Sequence, residues 1–160
     1  MKNSKMNKVL IALDFNPTSQ KIAEVGYALA KAMNAEICLL HVISNQTAYL
    51  PTVLDPIMGY AGFVDIDTLH PEYSENLKKS AQEFLDKAKE HLGPIDIETI
   101  VIEGDFSESI LNTATKIKAD IIVIGSHSKK WLETILLGST TSQVLNHSNI
   151  PLLIVPTKKK

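Results

Sequence analysis

The sequence lacks arginine, has a single cysteine and contains no long apolar run. All 16 basic residues are lysine, and with 18 acidic residues they leave a formal net charge of -2. This balance argues against nucleic acid as a partner, because proteins that bind nucleic acid carry a basic surface. The one cysteine, Cys38, excludes an intramolecular disulfide and indicates a reducing compartment. Since Cys38 lies inside an apolar run, we predict that its thiol is buried.

The first residues do not resemble a signal peptide or a membrane anchor. Residues 1–8 are polar and charged, and the apolar run that follows, residues 9–13, ends at Asp14. This run is too short for a secretory signal or a membrane span, so we expect a cytoplasmic protein without a membrane partner. With 160 residues, of which 44% are apolar, the chain suits one domain over residues 1–160.

Apolar runs alternate with amphipathic segments along the chain, which indicates strands alternating with helices. The predicted strands are residues 9–13, 37–43, 95–102, 120–124 and 152–155. The first two are apolar throughout, as is typical of parallel strands covered on both faces. The third strand begins with alternating apolar and polar residues, and the fifth strand has a proline on each side. We therefore place both strands near the edges of the sheet. The pattern predicts a doubly wound α/β fold with a parallel sheet and helices on both faces.

The residues that face the sheet, and the ends of the helices, can also be predicted. In the first helix, four apolar residues recur at helical spacing: Ile22, Val25, Leu29 and Met33. We expect them to pack on the sheet, and Asn34 to end the helix. Asp105 and Glu108 have the spacing of a capping box. In the last helix, Val144 and Leu145 are expected to point inward. Residues 44–70 lack periodicity, and this long loop could act as a lid.

The most informative segment is residues 125–141, which we name the predicted phosphate loop. It starts at Gly125, directly after a predicted strand, and continues to Gly138 at the start of a predicted helix. The first residues of that helix carry hydroxyls: Ser139, Thr140 and Thr141. A strand that ends at glycine and a helix N-terminus both present backbone N–H groups that bind anions. Lys129 and Lys130 could add countercharge.

A purely structural interpretation of the same residues is open at this point. Gly125 could end a strand, Gly138 could relieve a turn, and Ser139 could cap a helix. The phosphate motifs G-x-x-x-x-G-K-[ST] and, after the first strand, G-x-G-x-x-G are both absent. His127 has serine neighbours, but the sequence contains no G-x-S-x-G, which argues against a hydrolase nucleophile. The other histidines lack the spacing of metal ligands.

The order of these motifs resembles the universal stress protein family, and specifically its adenine-nucleotide-binding branch. The resemblance covers nearly the whole chain: Asp14 after the first strand, His41 and Val42 closing the second, the turn at residues 103–105, the predicted phosphate loop and residues 149–156. The family signature is glycine, two residues, glycine, nine residues, glycine, and then serine or threonine. The corresponding residues here are Gly125, Ser128, Gly138 and Ser139. Ser128 therefore replaces the middle glycine.

The resemblance implies a Rossmann-like, adenine nucleotide alpha hydrolase-like sheet with strand order 3-2-1-4-5, and ATP, ADP or AMP as ligand with Mg or Mn. Asp14 and Val42 would line the adenosine pocket, flanked by Ala12 and Leu13, although Asp14 could instead be a helix-cap acid. The ribose and phosphates would be held by Gly125, His127, Ser128, Gly138, Ser139 and Thr140. Ser126 and Thr141 complete the predicted cofactor-binding set.

The function implied by the resemblance is a regulatory stress-response module. It would act as a homodimer through antiparallel pairing of residues 152–155, with at most slow ATP hydrolysis. The alternative is a dimeric interaction module that binds no nucleotide. Ser128 motivates this alternative, because a side chain at a position of positive φ costs about 1 to 2 kcal/mol and could crowd a phosphate. A third possibility, an adenine-nucleotide hydrolase, lacks the Ser-Gly-Gly loop expected near the first strand.

Overall fold

The computed structural model describes residues 6–44, 71–93, 96–126 and 138–157. The strands are β1 (Lys8–Ala12), β2 (Glu36–Ser44), β3 (Ile97–Gly104), β4 (Ile121–Gly125) and β5 (Leu152–Val155). The helices in these ranges are α1 (Ser19–Met33), α2 (Pro71–Leu92), α3 (Phe106–Lys116) and α4 (Ser139–His147). None of the helices in the described part of the chain combines the length and the apolar character that crossing a membrane requires. The predicted lid, residues 44–70, lies outside the described residues apart from Ser44.

The five strands form one parallel sheet in the order β3-β2-β1-β4-β5. This order confirms the prediction, including the edge positions of β3 and β5. The chain builds outward from β1 through β2 to β3 and then returns to the other side of β1 for β4. Strand order therefore reverses beside β1, and parallel sheets bind ligands beyond the carboxyl ends of the strands at such a point.

Each face of the sheet has its own apolar core. On one face, Ile22 of α1 and Leu85 of α2 belong to the same buried cluster as Ile11. On the other face, Ile110 of α3 and Val144 of α4 belong to the cluster that contains Leu10 and Cys38. Cys38 is fully buried, as predicted, and burial raises the pKa of its thiol to about 12. The thiol is therefore protonated at neutral pH and serves packing.

Two of the residues that we predicted to face inward are exposed. Val25 is 36% exposed, because α1 packs along the line of Ile22, Gly26 and Ala30, which repeats every four residues. The helix approaches the sheet so closely that a Cβ on Gly26 would lie 2.6 Å from Cδ1 of Ile11. Small residues thus form part of the contact between α1 and the sheet, and a search for large apolar residues does not identify them.

The second error lies in α4. Leu145 is 47% exposed, whereas Val144 is buried as predicted. Thr141 and Val144, three residues apart, form the buried face of this short helix, and consecutive residues differ in direction by about 100°. Leu145 therefore points to solvent.

The predicted helix ends are confirmed. Asn34 follows α1 with φ 53 in the left-handed region, and its N–H donates to carbonyls of the last turn. Asp105 is the N-cap of α3, and its side chain accepts a 3.0 Å hydrogen bond from the N–H of Glu108. The first turn of α3 is therefore closed by a carboxylate.

Candidate functional site

A cavity of about 540 Å³ opens at the carboxyl ends of β1, β2 and β4, where strand order reverses. Most of the predicted site residues line it: Ala12, Leu13, Asp14, Val42, Gly125, Gly138, Ser139, Thr140 and Thr141. Ser126 is not among its lining residues, and His127 and Ser128 lie outside the described residues. The structure therefore brings both ends of the predicted phosphate loop to the same cavity as Asp14 and Val42.

The polar side of the cavity is the N-terminus of α4. Gly138 is the N-cap, and its N–H is already used in a 3.0 Å hydrogen bond to the carbonyl of Ser126. Intrahelical bonding starts with the N–H of Ser142, which donates to the Gly138 carbonyl. The N–H groups of Ser139, Thr140 and Thr141 therefore have no acceptor inside the helix. Within the described ranges no side chain caps this end, so these amides can bind an anion.

Gly138 has φ -59 and ψ 159, a conformation open to any residue. The structural hypothesis that this glycine relieves a strained turn is therefore wrong.

Thr141 lines the cavity but does not offer its hydroxyl to it. The side chain is 2% exposed, and Oγ1 donates a 2.8 Å hydrogen bond to the carbonyl of Gly125. This hydrogen bond uses the only proton of the hydroxyl, so Thr141 Oγ1 is not a free donor to a ligand. Thr141 instead joins the start of α4 to the end of β4, and so positions the N–H groups of the helix.

Gly125 is required by packing rather than by backbone conformation. A Cβ at this position would lie 2.5 Å from Cδ1 of Ile22 and 3.0 Å from Cγ2 of Thr157. Helix α1 and the segment after β5 thus both press against the end of β4. Any larger residue must displace one of them.

Ser126 lies behind the cavity and connects its walls. Its N–H donates to the carbonyl of Val155 at 2.9 Å, and its carbonyl accepts from the N–H of Gly138 at 3.0 Å. Its hydroxyl oxygen accepts from the N–H of Thr157 at 3.1 Å. The backbone of Ser126 therefore joins β5 to the start of α4, while its side chain bonds the residue that follows Pro156.

Asp14 is placed by the turn that links β1 to α1. Its Oδ1 accepts a 3.1 Å hydrogen bond from the N–H of Asn16, and Oδ1 of Asn16 accepts one from the N–H of Thr18. Asp14 thus caps a turn that precedes the helix, while its side chain also lines the cavity. Asp14 is therefore not the cap of α1, whose N-cap is Thr18, and the alternative prediction of a helix-cap acid is wrong.

His41 supports the same turn from inside the sheet. It is only 4% exposed, and its Nδ1–H donates a 2.8 Å hydrogen bond to the carbonyl of Leu13. The rings of Phe15 and Phe84 lie 4.3 Å and 5.7 Å from it, between ring centroids. Burial lowers the pKa of His41, opposed by its hydrogen bond to Leu13 and by the charge of Asp14. At neutral pH the ring is therefore uncharged and keeps the Leu13 carbonyl in place.

The depressed pKa of His41 makes stability depend on pH. Below about pH 6.5 the unfolded chain takes up a proton at this side chain that the folded chain resists, so the free energy of unfolding falls. A His41→Asn variant retains an N–H donor for the Leu13 carbonyl and cannot be protonated. Urea unfolding from pH 8 to pH 5 should show that wild type loses stability relative to the variant only below about pH 6.5, by no more than about 1.4 kcal/mol per pH unit. A constant difference across this range would contradict the role assigned to His41.

Several cavity residues were not predicted from the sequence. These are Asn16, Ile22, Leu40, Phe106, Ile110 and Ile124. Most are core residues whose tips reach the cavity, which periodicity cannot distinguish from ordinary packing. Phe106 is different, because a large aromatic residue in the first turn of an amphipathic helix, directly after a strand end, is a recognisable sequence feature.

Comparison with known proteins agrees with this architecture. The model of the universal stress protein family matches residues 5–156. Universal stress protein MJ0577 of Methanocaldococcus jannaschii is 30% identical over 154 residues, which cover 94% of this chain and 95% of that protein. Universal stress protein YxiE of Bacillus subtilis is 30% identical over 151 residues, covering 93% of this chain and 98% of its own length.

Solved structures show the same likeness. The structure of MJ0577 has a TM-score of 0.74 at 28% identity and covers 98% of this chain and 99% of its own. A universal stress protein solved in complex with cAMP has a TM-score of 0.62 at 22% identity, covers 97% of this chain and 100% of its own, and shows the common fold. The resemblance inferred from the sequence motifs is confirmed: the chain belongs to the universal stress protein family.

Proposed function

We propose that this protein binds an adenine nucleotide, ATP, ADP or AMP, in the cavity beyond β1, β2 and β4, and that it acts as a regulatory module in a stress response. The observation that carries this proposal is the N-terminus of α4, which no side chain of the described residues caps and which opens onto a cavity with apolar walls. A volume of about 540 Å³ lies inside the range of about 300–1,000 Å³ typical of small-molecule sites.

The two sides of the cavity match the two parts of a nucleotide. The amides of residues 139–141 suit the phosphates, since they have no acceptor within the helix and lie at the positive end of its dipole. Val42 offers an apolar surface to the base, and Asp14 can accept hydrogen bonds from hydroxyl or amino groups of the adenosine. Mg²⁺ or Mn²⁺ would accompany the nucleotide through its phosphate oxygens.

We further propose a homodimer formed by antiparallel pairing of β5. This strand is at the sheet edge, with β4 on one side, and its residues 152–154 are only partly buried. An apolar edge strand is suited to pairing with a second copy, which a two-fold axis makes self-complementary. Sedimentation of wild type beside a Leu153→Lys variant tests this, since the charge should shift the equilibrium to monomer.

The second candidate function is a dimeric interaction module without nucleotide. Ser128 in place of the middle signature glycine is the observation that favours it. The two functions differ in one measurable property, the affinity for nucleotide, so calorimetric titration of the apo protein with ATP, ADP, AMP and cAMP, with and without Mg²⁺, separates them. Absence of both heat and thermal stabilisation at millimolar nucleotide would contradict the leading proposal.

A negatively charged side chain at the α4 N-terminus tests where the phosphates bind. Ser139→Asp should weaken ATP binding about ten-fold or more, because its carboxylate competes with a phosphate for the same amides and repels it. The same carboxylate should stabilise the free protein by about 0.3–1 kcal/mol through the helix dipole. Titration and thermal unfolding measure the two effects, which have opposite signs.

The matched control is Asn146→Asp, which adds the same charge near the other end of the same helix, at an exposed position. Its ATP affinity should stay close to that of wild type. If both variants bind ATP as wild type does, the phosphates do not lie at the α4 N-terminus.

A further inference from the structure

Phe106 is an exposed aromatic residue at the candidate site. It is the first residue of α3, it is 36% exposed, and it lines the cavity. The buried face of α3 is formed by other residues: Ser109, Ile110, Thr113 and Ala114. Phe106 therefore contributes little to the core, and the surface it leaves exposed borders the cavity.

The N-termini of α3 and α4 both lie at the cavity, and they differ in charge. At α3 the carboxylate of Asp105 accepts the N–H of Glu108 at 3.0 Å and the hydroxyl of Ser107 at 2.9 Å. These hydrogen bonds lower the pKa of Asp105, so the cap is negatively charged at neutral pH. At α4 the amides are not capped by any side chain of the described residues. The negative charge of Asp105 disfavours a phosphate at α3, so a ligand whose phosphates lie at α4 can place its uncharged part toward α3.

The part of the cavity near α3 is apolar. Leu40 and Val42 of β2 and Ile110 of α3 line it together with Phe106. Three of these side chains are aliphatic, and Phe106 supplies the one aromatic ring among the described lining residues. A flat heterocycle gains from an aromatic face beyond the area it buries, by offset or edge-to-face contact between rings.

We infer that Phe106 is a specificity-determining residue whose ring stacks on the nucleobase of the bound nucleotide, so that the site favours purine nucleotides over pyrimidine nucleotides and over base-free polyphosphate. This inference rests on the proposed function and names the residue that recognises the base. A purine offers two fused rings to Phe106, whereas a pyrimidine offers one and inorganic tripolyphosphate none.

Titrations with ATP, CTP and inorganic tripolyphosphate test the assignment. Phe106→Ala should weaken ATP binding about 5- to 100-fold, the range found when stacking aromatics are replaced by alanine. Phe106→Leu, which keeps apolar bulk without a ring, should also lose affinity, and Phe106→Tyr should stay within about two-fold of wild type. The affinity for tripolyphosphate should not change in any of the three variants, and the loss for CTP should be smaller than for ATP.

Leu145→Ala is the matched control. It also shortens a large exposed apolar side chain, on α4, and Leu145 is not among the residues that line the cavity. It should leave the affinity for all three ligands unchanged. Thermal unfolding of each variant checks that α3 has stayed folded.

The outcomes separate this inference from the proposed function. If wild type and Phe106→Ala bind ATP equally, the stacking role is wrong and the nucleotide site stands. If the affinities for ATP and tripolyphosphate fall together, Phe106 acts through the position of α3 and the inference is again overturned. If wild type binds neither purine nor pyrimidine nucleotide, the proposed function fails, and the inference fails with it.

Discussion

Replacement of Gly125 by alanine should lower the free energy of unfolding by about 1–3 kcal/mol, the usual cost of adding a group to a packed interior. The new Cβ would lie 2.5 Å from Cδ1 of Ile22 and 3.0 Å from Cγ2 of Thr157, so α1 or the segment after β5 must move. The end of β4 would move with them, and ATP affinity should fall as well. Urea unfolding and calorimetric titration of the same preparation measure both effects.

A second substitution should partly reverse the loss of stability caused by Gly125→Ala. Ile22→Val removes Cδ1, the closest atom to the new Cβ, at its own cost of about 0.5–1.5 kcal/mol. The double variant Gly125→Ala with Ile22→Val should therefore be more stable than the sum of the two single changes predicts. Gly26→Ala is the control, since its Cβ would meet Ile11 instead and Ile22→Val should not relieve it. If the losses of stability of Gly125→Ala and Ile22→Val simply add in the double variant, the contact with Ile22 is not the cause of the loss in Gly125→Ala.

Thr141→Val should cost a similar amount, about 1–3 kcal/mol, because it removes a buried donor from the carbonyl of Gly125 while keeping the shape of the side chain. Titration should also show weaker ATP binding, since the bond from Thr141 to Gly125 places the amides at the start of α4. Thr141→Ser keeps the hydroxyl and should retain most of the affinity.

Thr115 provides a matched control for this change. Its hydroxyl also donates to a backbone carbonyl, that of Leu111, but at an exposed position. Thr115→Val should change stability by less than about 0.5 kcal/mol. If Thr141→Val is equally mild and binds ATP as wild type does, then Thr141 does not position the helix.

The strands of the sheet could be predicted because a short stretch of sequence identifies each of them. Apolar runs without alternation identify β1, β2 and β4 as covered on both faces, whereas alternation in β3 and the prolines around β5 indicate edges. The strand order required the family resemblance. Val25 and Leu145 were misplaced because the distance between a helix and the sheet decides which residues make contact, and this distance is not visible in periodicity.

The site was predictable to the level of which segments meet, but not of what each side chain does. Gly125 and Gly138 were found by their spacing, yet the first is required by the nearness of Ile22 and the second adopts an ordinary φ. The hydroxyl groups of Ser126 and Thr141 bond residues 31 and 16 positions away, respectively. Such bonds follow from the packing of β4, β5 and α4, which no local pattern specifies.

The hydrogen bonds of Ser126 to three other residues have a consequence for local unfolding of the protein. Val155, Thr157 and Gly138 all bond to this one residue. We therefore expect β5 and the first turn of α4 to unfold locally as one cooperative unit. Local unfolding of the residues after β5 would then release the first turn of α4 at the same time. Through Ser126, the last residues of the described chain thus help to hold the start of α4 in place.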